Sequence, residues 1–203
     1  EYGATGFTQG AGTLDSTMTA SYGIGGLTGA TTYDYYVRSY CGGTDSSAWV
    51  GPITFTTLCD PYTPTHSEDF ATYLPTCWDE ANGILTATSN VILGSSNWKS
   101  DGFANVGTSG AVSLNIYGTS ISEWFISAPI DLGDGSTPYQ VEFDAALTDW
   151  NGTGADAMGI DDTLALVIST DFGQTWSSAN ILRNYVSGDE PTTAGSREFI
   201  DLS

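Results

Sequence analysis

Val141-Glu142-Phe143-Asp144-Ala145-Ala146-Leu147 places Val141, Phe143, Ala145 and Leu147 on one face. A period of two is the pattern of a strand with one face buried and the other in water. Tyr33-Asp34-Tyr35-Tyr36-Val37-Arg38 repeats it, with Tyr33, Tyr35 and Val37 together. Leu164 to Ile168 is almost continuously apolar, as expected of a strand buried on both faces. Between such runs stand Gly42-Gly43, Asn82-Gly83, Asp101-Gly102, Asp134-Gly135 and Asn151-Gly152, all turn formers. No stretch carries an amphipathic helical period. Short alternating strands with frequent turns predict an all-β sandwich.

The surrounding composition narrows the partners. The 203 residues hold 4 Lys plus Arg against 24 Asp plus Glu, a formal net charge of −20. That balance excludes nucleic acid, whose phosphates need neutralising cations, and an anionic membrane surface. Charged residues are only 14%, below the usual 25% or so, while hydrophobic residues reach 40%. The chain can therefore build a core and is not a disordered acidic tail. No apolar run approaches the roughly 20 residues of a membrane span. No leader opens the sequence at Glu1, which is expected to lie in mature protein.

Three cysteines, Cys41, Cys59 and Cys77, form no CxxC pair, and His66 is the only histidine. One disulfide with one cysteine left over fits this better than a zinc site, and implies an oxidising compartment. The stretch Thr57-Leu58-Cys59-Asp60-Pro61-Tyr62-Thr63-Pro64-Thr65 holds two prolines and follows a strand-like Ile53-Thr54-Phe55-Thr56. Proline removes a ladder donor and restrains its predecessor. The expected organisation is a first module over 1–57, a linker over 58–66 and a second module over 67–203.

Leu27-Thr28-Gly29-Ala30-Thr31-Thr32-Tyr33, followed by Tyr35, Val37, Trp49, Pro52, Phe55 and Thr57, resembles the C-terminal part of a fibronectin type III domain. The resemblance implies a tyrosine corner at Tyr33, whose phenol bonds back to upstream backbone. It also implies a module lacking its first strands, where the partner of Cys41 would lie, and a spacer role.

The second module resembles the jelly roll of MAM-like and cleaved-adhesin domains. Its residues are Glu68-Asp69-Phe70, Leu74-Pro75-Thr76-Cys77-Trp78, Trp98, Asp101 to Asn105, Glu123 to Leu132, Val141 to Asp144, Gly159 to Leu164 and Ser169 to Trp176. The family's last strands are not matched, and Ala71 stands where it often has Glu. The resemblance implies a large bacterial surface protein exported by the type IX route, with further modules in the same long chain. Cys59 and Cys77 flank the start of this module and are expected to pair; a Cys41–Cys59 bridge remains the alternative.

Calcium is the cofactor expected. Hard cations take oxygen ligands. Asp149-Trp150-Asn151-Gly152-Thr153-Gly154 reads D-x-N-x-T-G, the first half of a calcium loop, although Ile160 stands where a bidentate Glu belongs and Asp161 follows. Asp144, Asp149, Asn151, Asp161 and Asp162 are the candidate ligands. The family's usual site also draws on its first strand, which adds Asp69 and Asp101, with Glu68 beside them. Sugar binding is the second expectation, through Trp98, Trp124, Trp150 and Tyr117 as stacking plates. Asn151-Gly152-Thr153 is also an N-glycosylation sequon, idle in a bacterium.

Enzymatic readings are weak. Glu142-x-Asp144 places two carboxylates on one strand face, but Ala146 and Leu147 stand where a glycosidase would add its second glutamate. His66, the only histidine, stands beside the linker prolines and is not expected to form a catalytic triad. Ser169-x-Asp171-x-Gly173-x-Thr175-Trp176 fits an Asp-box, expected to be structural. The expected function is a non-catalytic piece of a secreted or cell-surface adhesin, contacting glycan or surface protein. An accessory region of a secreted hydrolase and a filament subunit are the alternatives.

Overall fold

The computed structural model describes residues 1–43, 45–118 and 122–202. It is nearly all-β, with 31% of residues in strands and 3% in helical turns. The chain divides into two compact units, Glu1–Asp60 and Pro61–Ser203. The division falls inside the expected linker, but that stretch is not a free spacer. Leu58 accepts a hydrogen bond from the Ala30 amide in the first unit, and Tyr62 exchanges backbone bonds with Pro129 and Asp131 in the second. Cys59 and Cys77 are joined in a disulfide, and Cys41 is a free, exposed thiol.

The first unit contains β1 (Tyr2–Ala4), β2 (Thr32–Val37), β3 (Tyr40–Gly42), β4 (Asp45–Ser46) and β5 (Val50–Thr56). Strand β2 lies between β1 and β5 in an antiparallel sheet, and β3 pairs β4 in a short hairpin. The alternation of Tyr33 and Tyr35 becomes an aromatic face, with Phe55 5.9 Å from Tyr33 and 6.0 Å from Tyr35. The Tyr33 phenol oxygen accepts the Thr28 amide at 3.0 Å, a bond back to the backbone five residues upstream. On the opposite face Asp34 is 6% exposed. It accepts from the Gly6 amide at 2.8 Å and the Thr54 hydroxyl at 2.6 Å, so the buried carboxylate is satisfied.

The second unit contains β6 (Asp79–Asn82), β7 (Ile92–Leu93), β8 (Lys99–Asp101), β9 (Ala111–Ser113), β10 (Glu123–Ile126), β11 (Gln140–Ala145), β12 (Leu164–Val167), β13 (Ile181–Tyr185) and β14 (Ser196–Asp201). The ladders are β10–β6–β7, β8–β9, β11–β14 and β12–β13, all antiparallel. These short ladders are consistent with a sandwich. Strand β12 departs from expectation: its residues are half-buried rather than covered on both faces, and β13 is its ladder neighbour. Its apolar run matched a central strand, but β12 ends at a two-stranded hairpin.

Phe125 on β10 organises the packing of this unit. Its ring centroid lies 5.0 Å from Trp78, 5.7 Å from Trp98, 6.0 Å from Phe70 and 6.1 Å from Tyr73. On the other face of this sheet, Ala81 of β6 is fully buried opposite Trp124. A second anchor ties β13 to β14. Tyr185, 2% exposed, donates to Glu198 at 3.0 Å, while the Arg183 guanidinium lies 4.2 Å over the Tyr185 ring and 3.6 Å from Glu198. Burial first, then the Glu198 carboxylate, pushes the Tyr185 phenol up to about 12.

Truncating Phe125 should therefore cost more than any other single deletion in the second unit. Phe125→Ala should lower unfolding free energy by about 3 kcal/mol, the lower end for aromatic truncation because the ring is half-buried. Urea denaturation followed by near-UV circular dichroism measures it.

Candidate functional site

The candidate calcium ligands are scattered. Asp69 bonds the Ala71 amide two residues on, at 3.0 Å. Asp101, against the raising effect of its own burial, is held below the usual carboxylate range by Ser113, the Gly102 amide and Lys99. Asp144 pairs with Arg197 at 3.2 Å. Asp149 closes its own turn, its amide donating to Gly154 at 2.9 Å and its carbonyl accepting from Gly152 at 3.1 Å. Asn151 sits at the tip of that turn with φ +58°. Asp162 accepts the Gly159 amide at 2.8 Å, and the Asp161 carboxylate also approaches Gly159. Among the described residues no group of three or more His, Cys, Asp or Glu side chains could hold a metal ion. As arranged, the seven predicted ligands do not form a calcium cage; Asp161 and Asp162 alone converge on one point.

Glu142 and Asp144 do share a strand face, as the alternation required. Arg197 across the ladder bridges both, at 3.0 and 3.2 Å. Arg197 and then Gln140 hold the Glu142 carboxyl below its usual range. Both carboxylates thus face one guanidinium and Glu142 is shifted down, whereas an acid–base pair needs one carboxyl raised. His66 stacks on Tyr62 with centroids 4.0 Å apart.

The expected sugar plates behave differently from one another. Trp98 packs against Phe125, and Trp124 donates its indole N–H to the Gly83 carbonyl at 2.6 Å while lying 5.4 Å from Trp176. Both are half-buried and act in packing. Trp150 is 57% exposed on the loop 149–154, with the Lys99 ammonium 4.8 Å over one face of its ring. Tyr117 is 88% exposed.

The Trp150 loop is braced from outside. The Asn105 amide donates to Thr148 Oγ1 at 2.7 Å, the Asp149 carbonyl at 3.1 Å and the Gly152 carbonyl at 2.6 Å. Asn105 reaches them because Ala104 and Asn105 both adopt left-handed backbone, φ +53° and +60°, in the one-turn helix Phe103–Asn105. An open cleft of about 550 Å³ lies here, lined by Phe103, Ala104, Val106, Thr153, Thr193 and Ala194. Sequence reasoning named Trp150 and missed Lys99 and Asn105 as companions of its loop, and Thr193 as a wall of the cleft. Nothing local marks them, because they meet only across the fold.

Ser169 to Trp176 forms the expected structural turn. Asp171 accepts from the Ser169 hydroxyl at 2.6 Å, the Thr175 hydroxyl at 2.5 Å and the Thr175 amide at 3.0 Å, which together hold its carboxyl down at about 2. The folded value lies below the ordinary 3.8, so the turn gains stability that is complete above about pH 5 and fades as pH falls through 2. Asp171→Asn should destabilise the β12–β13 hairpin at pH 7 and make little difference near pH 2, as read by amide hydrogen exchange at both pH values.

Compared with known proteins, the chain matches no family model, no curated protein and no solved structure.

Proposed function

We propose that this chain is a non-catalytic binding segment of a secreted or cell-surface, adhesin-like protein. In this reading the fibronectin-like first unit spaces, and the jelly-roll-like second unit contacts a glycan or a surface protein. The observation that carries the reading is Trp150, a large aromatic ring held in solvent on a loop that Asn105 braces at three points. Exposing such a ring forgoes its burial, and rigidly presented aromatics are the common anchors of binding surfaces. The Cys59–Cys77 disulfide supports an oxidising, extracellular setting. Among the described residues no helix is long and apolar enough to cross a membrane. The ion-paired state of Glu142 and Asp144 supports the absence of catalysis at that pair.

Calcium enters this reading only through Asp161 and Asp162, the two carboxylates that converge on Gly159. A cation that binds the native state alone stabilises it by mass action. Millimolar calcium should raise the melting temperature by a few degrees over chelator, magnesium should not, and the double variant Asp161→Asn/Asp162→Asn should lose the rise. Coincident melts in calcium and chelator would remove calcium from the proposal.

A glycan-array screen of the full chain, in calcium and again in chelator, tests the binding role. Saturable binding to a defined glycan set is expected. A blank array in both conditions would overturn the glycan contact.

A further inference from the structure

The cleft beside the Trp150 loop is built from three loops, each locked by its own hydrogen bonds. In the first, the Asn105 and Val106 amides bond the Gly102 and Phe103 carbonyls at 3.0 Å each. The second is the 149–154 turn, bonded end to end and braced by Asn105. In the third, the Gly195 amide donates to the Thr192 carbonyl at 3.0 Å, and the Thr192 hydroxyl to the Gly195 carbonyl at 2.8 Å. Gly195 is required here twice over. Its φ is +101°, and a Cβ would stand 2.7 Å from the ring of Phe103, which lines the cleft. The loops are thus preorganised, which removes much of the ordering cost of binding.

The lining decides the class of ligand. Phe103, Ala104, Val106 and Ala194 are its apolar lining residues, and Thr153 and Thr193 are its hydroxyl-bearing ones, from two different loops. Trp150 stands three residues before Thr153 on the same loop, 57% exposed, with Lys99 4.8 Å over one face of its ring. A pyranose has apolar C–H faces and a hydroxylated edge, and this combination matches both. Charge excludes an anionic ligand. The chain carries −20, and Lys99, its only lysine, lies 3.6 Å from Asp101. The volume, about 550 Å³, falls within the range of small-molecule sites.

We propose that this three-loop cleft, together with the Trp150 ring, binds a neutral saccharide of one or two rings. The inference rests on the binding role proposed above and assigns it a location and a sugar class.

The test is an NMR titration of the full chain with lactose, maltose, cellobiose and chitobiose as neutral probes and digalacturonate as the anionic one. At least one neutral disaccharide should shift the Trp150 indole resonance saturably. Trp150→Ala should weaken that binding tenfold or more, and Thr153→Val and Thr193→Val about threefold each. Phe172→Ser, at an aromatic 72% exposed on a different turn, should leave it unchanged. Thermal melts show that each variant is folded. Neutral-sugar binding that survives both Trp150→Ala and Thr153→Val would overturn the cleft while leaving the binding role intact. Preference for digalacturonate would overturn the neutral class. No shift with any probe would overturn the inference, and a blank glycan array besides would remove the glycan role with it.

Discussion

The packing of Phe70, Tyr73, Trp78 and Trp98 around Phe125 is the constraint on which the second unit depends. Strands of two to six residues bury little surface individually. Aromatic side chains compensate, because each can bury on the order of 150–250 Å². The cluster draws together residues 55 positions apart in sequence, from Phe70 to Phe125. It therefore fixes the irregular segment before β6 against the β6–β10 ladder. The arrangement has a cost. The indole N–H groups of Trp78 and Trp98 are buried without a protein acceptor, and an unmet buried donor costs roughly 1–3 kcal/mol. Size and shape of the rings outweigh it.

The acidic character of the chain has a structural explanation that precedes any functional one. Three of the four cations sit in the second unit, and each faces carboxylates: Lys99 faces Asp101, Arg183 faces Asp189 and Glu198, and Arg197 faces Glu142 and Asp144. Other aspartates cap turns. Asp69, Asp131 and Asp134 each accept the amide two residues on, and Asp171 holds a whole turn. A short acceptor side chain that mimics a backbone carbonyl suits this role, which is why aspartate is frequent in a chain of short strands. Acidity alone is therefore a poor pointer to a cation, and the point where two carboxylates converge says more than their number.

Function, on this view, concentrates where the fold leaves an aromatic ring unsheltered and then makes its loop rigid. Trp124 and Trp176 pack on each other and Trp98 joins the Phe125 cluster, whereas Trp150 is held outward by Asn105. The same residue joins two of the three walls of the cleft. One amide side chain thus ties the loop that carries the exposed ring to the turn that carries Phe103.

The all-β class, most of the turns, the Tyr33 bond back to Thr28, the Asp171 turn and the pairing of Cys59 with Cys77 were legible in the sequence. Each depends on side-chain period, on bonds within a few residues, or on a short covalent choice among three cysteines. The half-burial of β12, the separation of the seven proposed calcium ligands and the different fates of Trp98, Trp124 and Trp150 were not legible. All three are settled by which distant strand lies alongside. Alternation says that a residue faces one side of a strand; it does not say whether another layer covers that side. Arg197 meets Glu142 and Asp144 from more than fifty positions away, and Asn105 meets Gly152 from 47. Local sequence determined the strands and turns, and only tertiary packing decided which polar groups were left free to act.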